Sequence, residues 1–165
     1  MKTILIALLL MLFSITCQAF DLKGIEIGSV RNDVLINEKL GIDCGSYSNV
    51  CSDYTMVMGR VSTVILSERD GKIGSITVVT SVMAFDDLVE ALKKKHGDPK
   101  TVERSNWQAM SGVQLANISM QWINTAGDEL TVTKYGNSTQ SILTMKSHAQ
   151  IKFEDAKSKT AKSQL

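Results

Sequence analysis

The chain reads as an α+β protein in which an antiparallel sheet is covered by two helices. Three observations lead there. Two stretches with helical apolar spacing each run into a glycine, Gly41 and Gly97. Runs of β-branched residues alternate with turn residues. Asp70-Gly71 separates two such runs and is a hairpin signal, because both central residues of a type I′ turn take positive φ. The order helix, strands, helix, strands suggests two helix-plus-meander repeats, although the halves share too little residue identity to establish a duplication.

The first 19 residues form a secretory signal: Lys2 is basic, residues 4–15 are almost wholly apolar, and Cys17-Gln18-Ala19 ends in a small residue. Cys17 lacks a preceding Gly or Ala (Thr16) and a Leu three places earlier (Ser14), so cleavage near Ala19 is expected rather than lipidation. The chain divides into the signal (1–19), one α+β domain (20–148), and a Lys/Ser-rich tail (149–165) expected as a frayed helix or disordered. The expected location is periplasmic or secreted.

Phe20 to Ile27 reads as a short extended segment. A helix follows over 29–40, with Ser29 as N-cap, Val30, Val34 and Leu35 at helical spacing, and Gly41 as the stop. Residues 42–53 read as a loop of Gly, Ser and Asn bracketed by Cys44 and Cys51. Residues 54–68 are β-prone, with Gly59 marking a bend or a break, and 72–82 form the return strand after Asp70-Gly71. The second helix is the best specified. Phe85, Leu88, Val89 and Leu92 make its apolar stripe, acids fill its early turns, Lys93 to Lys95 its last, and Gly97 and Pro99 end it. Strands are then predicted at 101–104, 116–123, 129–135 and 141–147, with Trp122 on a core face with Ile118 and Met120.

Charge and composition exclude several classes. The chain has 18 basic and 17 acidic residues, and loss of Lys2 with the signal leaves 17 of each, so no basic field suits nucleic acid. From Lys146 onward, lysines outnumber the acids Glu154 and Asp155, so this tail reads as solubilising, with contact to anionic lipid or an acidic partner as the alternative.

Cys44 and Cys51 are expected to form a disulfide, worth roughly 2–3 kcal/mol at most for so short a loop. They lack the Cys-x-x-Cys spacing of a redox couple. The bridge stiffens Gly45-Ser46-Tyr47-Ser48-Asn49, and Tyr47 and Asn49 become recognition candidates beside the plainer reading of a structural staple. Trp107, in an expected loop from Ser105 to Gly112, is the third candidate, at an interaction surface or packed over the sheet edge. His96 and His148 have no partner at metal-ligand spacing, and His96 reads as a helix C-terminal cation. Asp86 and Asp87 point about 100° apart on a helix and complement its dipole rather than converging on a substrate. No nucleophile elbow, P-loop or dinucleotide fingerprint occurs, and neither a cofactor nor a metal is expected.

The pattern Phe20, Lys23-Gly24-Ile25-x-Ile27-Gly28, the Cys-loop-Cys, the hairpin, and Phe85-x-x-Leu88-x-x-Ala91-Leu92 with Gly97-x-Pro99 resembles a broad group of exported bacterial proteins without an assigned activity. Its helix-plus-meander order is similar to the β-lactamase inhibitor protein and to small outer-membrane assembly accessory proteins. That resemblance implies binding of another protein and no catalysis. With no converging catalytic set, a stapled polar-aromatic loop and a sheet able to present a broad face, the expected function is a non-catalytic exported domain that binds another extracytoplasmic protein, as inhibitor, immunity factor or envelope adaptor. The alternatives are a small hydrolase with a dispersed site and a membrane-surface accessory protein.

Overall fold

The computed structural model describes residues 19–45, 48–108, 112–137 and 139–162. The signal, apart from Ala19, and Tyr47 lie outside the described residues. The fold is α+β, built on a seven-stranded antiparallel sheet. The chain opens with a two-stranded ribbon, β1 (Asp21–Leu22) and β2 (Ile25–Glu26), then α1 (Asp33–Leu40). Three strands follow, β3 (Val50–Val57), β4 (Arg60–Arg69) and β5 (Lys72–Ser81). A 3₁₀ turn (Val82–Ala84) leads into α2 (Phe85–His96). Four strands come next, β6 (Thr101–Gln108), β7 (Gln114–Ile123), β8 (Glu129–Thr133) and β9 (Gln140–Lys146), and α3 (His148–Lys162) ends the described chain.

The sheet order is β3-β4-β5-β9-β8-β7-β6, so the last strand returns to the centre and joins the two halves. Three strands follow α1 and four follow α2, an unequal division for a duplicated unit. Every pairing is antiparallel, and Ile76↔Met145 and Val78↔Leu143 set the central register. Alternation along each strand gives the sheet one buried face, with Val64, Leu66, Ile76, Val78, Leu130, Val132, Leu143 and Met145. Ile36 and Leu40 of α1, Phe85, Leu88 and Leu92 of α2, and Phe20, Leu22, Ile25 and Ile27 of the first segment belong to the same buried cluster. Burial of each such side chain is worth about 1.5–3 kcal/mol. Trp122 is in this core, and its Nε1 donates to the Gly97 carbonyl at 2.9 Å, tying the end of α2 to β7.

Several elements differ from the sequence reading for identifiable reasons. The first helix begins at Asp33 and not at residue 29. Gly28 N–H donates to the Ile73 carbonyl, Ile73 N–H to Ser29, and Arg31 N–H to Gly71, so residues 28–31 are held extended against the β4–β5 hairpin. The N-cap is Asn32, whose side chain accepts from Leu35 N–H, while Val30 and Val34 face solvent and Ile36 and Leu40 are the buried pair. Gly41 caps the helix in the left-handed conformation as the sequence predicts. The expected loop over 42–53 ends early, because β3 starts at Val50. Gly59 is a break: Met58 (φ 50°) and Gly59 (φ 73°) form the same tight turn as Asp70 (φ 51°) and Gly71 (φ 74°). β6 runs to Gln108, so Trp107 is a strand residue and not a loop residue. The tail is helical to Lys162 and returns to the sheet: Arg69 Nε donates to Gln150 Oε1 at 2.7 Å and its guanidinium stacks 3.3 Å from the Phe153 ring centroid.

Met58 is the one hairpin residue with an unbranched apolar side chain in the left-handed region where Asn is better tolerated. Met58→Asn is expected to raise unfolding free energy in urea by about 0.5–1 kcal/mol; a loss of stability would show that Met58 packs rather than strains.

Candidate functional site

The organising group of the stapled loop is Arg31, a residue that sequence reading passes over. Its side chain is only 12% exposed. Nε and Nη2 reach the Asp33 carboxylate at 2.5 and 3.2 Å, and Nη1 reaches Glu68 Oε2 at 2.9 Å. The remaining fork donates into the disulfide loop, from Nη1 to the Ser48 carbonyl at 2.5 Å and from Nη2 to the carbonyls of Cys44 (3.4 Å) and Gly45 (3.3 Å). The Asp33 carboxylate, then Glu68, push the Arg31 pKa up against the opposing cost of burial. A planar fork with five N–H groups suits this set of carbonyls and carboxylates, and an ammonium does not.

The Cys44–Cys51 disulfide closes the loop around this guanidinium, with Cα atoms 4.9 Å apart. Cys44 is buried, and Cys51 enters β3 paired with Leu66. Asn49 is exposed, and its carbonyl accepts from Glu68 N–H at 2.7 Å, so the loop is pinned to β4 on one side and to Arg31 on the other. The disulfide loop is thus a continuation of the edge strand, and whatever it presents is aligned with β3.

β3 and β4 carry the most unusual surface of the described residues. Val50, Tyr54, Met56, Met58 and Val61 are all between 50% and 72% exposed. The register pairs Tyr54 with Thr63 and Met56 with Val61, so the side chains of Val50, Tyr54, Met56 and Val61 share the face opposite the core, with Met58 at the turn beside them. Across the sheet that face continues through Thr77, Val79, Ile142, Thr144, Thr131, Thr133, Ser119 and Gln121. It is uncharged from β3 to β7 except at the end next to α3, where Arg69, Lys146 and Glu129 lie. There Lys146 Nζ pairs with Glu154 of α3 at 2.6 Å. At the opposite end, a depression of about 320 Å³ opens between Tyr54, Val61, Val79 and Gln140. On the β6 side Trp107 stacks on Tyr135, with centroids 6.4 Å apart, and is half-buried.

The histidines are separated and locally occupied. His96 meets the Phe20 ring edge-on at 5.0 Å. Burial first, and then the neighbouring Lys95 charge, lower its pKa against the pull of Asp21, so it favours the neutral form rather than acting as a helix-end cation. His148 begins α3 and borders a cavity of about 330 Å³ with Ser147, Asp128, Arg69 and Lys72. Proximity of Ser, His and Asp there serves capping: Asp128 Oδ1 accepts from His148 backbone N–H at 2.9 Å, Asp128 Oδ2 accepts from Asn124, and Ser147 Oγ accepts from Gln150 N–H. Among the described residues no group of three or more His, Cys, Asp or Glu could hold a metal, and no helix is long and apolar enough to cross a membrane.

The structure therefore places Asn49 beside the stapled edge strand and Trp107 at the far edge of the same sheet, and does not bring the two together. The apolar strip Val50, Tyr54, Met56 and Val61 escaped sequence reading. Its signal was present, since Val50, Ser52, Tyr54 and Met56 alternate with Cys51, Asp53, Thr55 and Val57. The position of the Met58-Gly59 turn was needed to show which alternate set faces outward.

Arg31→Ala removes the cation paired with Glu68 and Asp33 and the donors to the Cys44, Gly45 and Ser48 carbonyls, and is expected to cost about 2–4 kcal/mol in urea unfolding with the disulfide intact. Arg31→Lys should recover less than half of that. A loss within about 0.5 kcal/mol for Arg31→Ala would show that the disulfide alone holds the loop.

No protein-family model, no curated protein and no solved structure matches this chain significantly.

Proposed function

We propose that this is an exported, non-catalytic domain that binds another extracytoplasmic protein through the open face of its sheet. The observation that carries the reading is the uncharged face with Val50, Tyr54, Met56 and Val61 exposed along one side. Contiguous apolar surface of this kind marks an interaction site in a folded protein, whereas scattered exposed side chains do not. Six strands, β3 to β7, at about 4.8 Å, each rising about 3.3 Å per residue, make an uncharged face of roughly 25 Å by 20 Å. That projected area is more than half of the roughly 800 Å² one partner contributes to a standard interface, before the stapled loop is added.

The chemistry of the face defines what it accepts. Thr, Ser and Gln supply hydroxyls and amides without fixed charge, and Tyr54, Trp107 and Tyr135 supply aromatic anchors. A charged partner surface would lose its hydration here without gaining ion pairs. The partner is therefore a folded protein with an apolar or polar-uncharged surface. Tyr47 and Asn49 extend the contact from the stapled loop, and Arg31 fixes that loop before binding, which lowers the ordering cost. Side chains of α1 and α2 join the buried cluster and so serve the scaffold. The disulfide fits an oxidising compartment, in keeping with export after cleavage near Ala19.

The test is affinity capture from the native extracytoplasmic fraction. Wild type and a Lys94→Glu control on α2 should retain the same specific protein. Tyr54→Lys with Val61→Lys should lose it at least tenfold, because two desolvated charges cost more than about 1.4 kcal/mol, and Tyr47→Ala with Trp107→Ala should weaken it. Undiminished capture by the Tyr54→Lys, Val61→Lys variant would overturn the assignment of the face.

A further inference from the structure

The outer edge of β3 is interrupted by the chain's own side chains. Glu68 N–H donates to the Asn49 carbonyl, so the odd-numbered residues of β3 bond to β4 and the backbone groups of Val50, Ser52, Tyr54 and Met56 point outward. A strand adding to this edge would use those outward groups in succession. Two of the four are already engaged. The Ser48 hydroxyl accepts from Val50 N–H at 3.3 Å and donates to the Val50 carbonyl. Asp53 Oδ1 accepts from Tyr54 N–H at 2.7 Å. The open N–H groups of Ser52 and Met56 are then separated by an occupied one.

The need for such protection is plain from composition. β3 reads Val-Cys-Ser-Asp-Tyr-Thr-Met-Val, without proline or lysine, and it stands at the end of the sheet with exposed apolar side chains. Unprotected, a strand of this kind templates pairing with another chain. The opposite edge, β6, is blunted in the ordinary way by Glu103 and Arg104 in mid-strand.

We propose that Ser48 and Asp53 are edge guards that bar strand addition at β3, whether from a second copy of this chain or from an extended segment of another protein. They leave the side chains of Val50, Tyr54 and Met56 available on the open face. Where the binding reading above is used, the consequence is that the partner meets a face and not an edge; the guard itself holds for the protein alone.

Sedimentation equilibrium of the purified protein tests this without any partner. Wild type is expected to stay monomeric. Ser48→Ala with Asp53→Ala should approach twice the monomer mass as concentration rises, and adding Tyr54→Pro, which withdraws the central outward N–H, should return it to monomer. Asp53→Asn retains the acceptor oxygen and should also remain monomeric. A monomeric Ser48→Ala, Asp53→Ala variant, a dimeric Asp53→Asn variant, or a wild type that pairs through β3 would each overturn the proposal. Amide hydrogen exchange on wild type gives a check that needs no variant: Val50 and Tyr54 should exchange several-fold more slowly than Ser52 and Met56, and equal rates would overturn it. If the double variant is monomeric while Tyr54→Lys with Val61→Lys abolishes capture, the guard fails and the face reading stands; the reverse pattern leaves the guard and removes the face.

Discussion

The rest of the structure depends on the pairing of β5 with β9. These strands lie far apart in sequence, yet Ile76↔Met145, Val78↔Leu143 and Thr80↔Ser141 face each other at the middle of the sheet. The first two pairs place four fully or nearly fully buried side chains in the cluster that residues of α1 and α2 also join. Without this ladder the chain would hold a three-stranded and a four-stranded half, each with an exposed inner edge and a half-covered apolar face. The pairing also makes the opposite face continuous, so that Val79 lies beside Ile142 and Thr77 beside Thr144. The same contacts that close the core therefore create the broad open surface.

Two further constraints position that surface at its β3 side. Arg31 gathers the Cys44–Cys51 loop and Glu68 into one hydrogen-bonded group, and residues 28–31 are strapped to the β4–β5 hairpin by backbone bonds. The loop leads directly into β3, so its conformation is transmitted to the edge strand and to the exposed Val50 and Tyr54. At the other end of the face α3 is fastened through Arg69, Gln150, Phe153 and the Lys146–Glu154 pair. The charged residues of the face are concentrated under that helix, which leaves the remainder uncharged.

Local chemistry was legible in the sequence where it was self-contained. The α2 stripe with Gly97, the Asp70-Gly71 hairpin, the Gly41 stop and the Cys44–Cys51 bridge each depend on neighbours in the chain. The failures have a common cause in distant partners. Val30 and Val34 have helical spacing, but Gly71 and Ile73 hold residues 28–31 extended. Met58-Gly59 turns as tightly as Asp70-Gly71 although methionine is a poor turn residue, because the β3–β4 ladder imposes the geometry. The tail has little apolar periodicity, yet Arg69 and Gln150 draw its first turns onto the sheet. Arg31 could not be singled out, since Ser48, Cys44, Gly45 and Glu68 reach it only through the fold.

The central claim is that the open face, at its β3–β4 side, is where a partner protein lies. Site-specific photo-crosslinking in the native compartment tests it most directly, with a photoreactive residue at Val61 on that face and, separately, at Glu90 on the exposed side of α2. The account predicts a discrete protein adduct of one mass from position 61 and none of that mass from position 90. An adduct formed from position 90 alone, or no adduct from position 61, would contradict it.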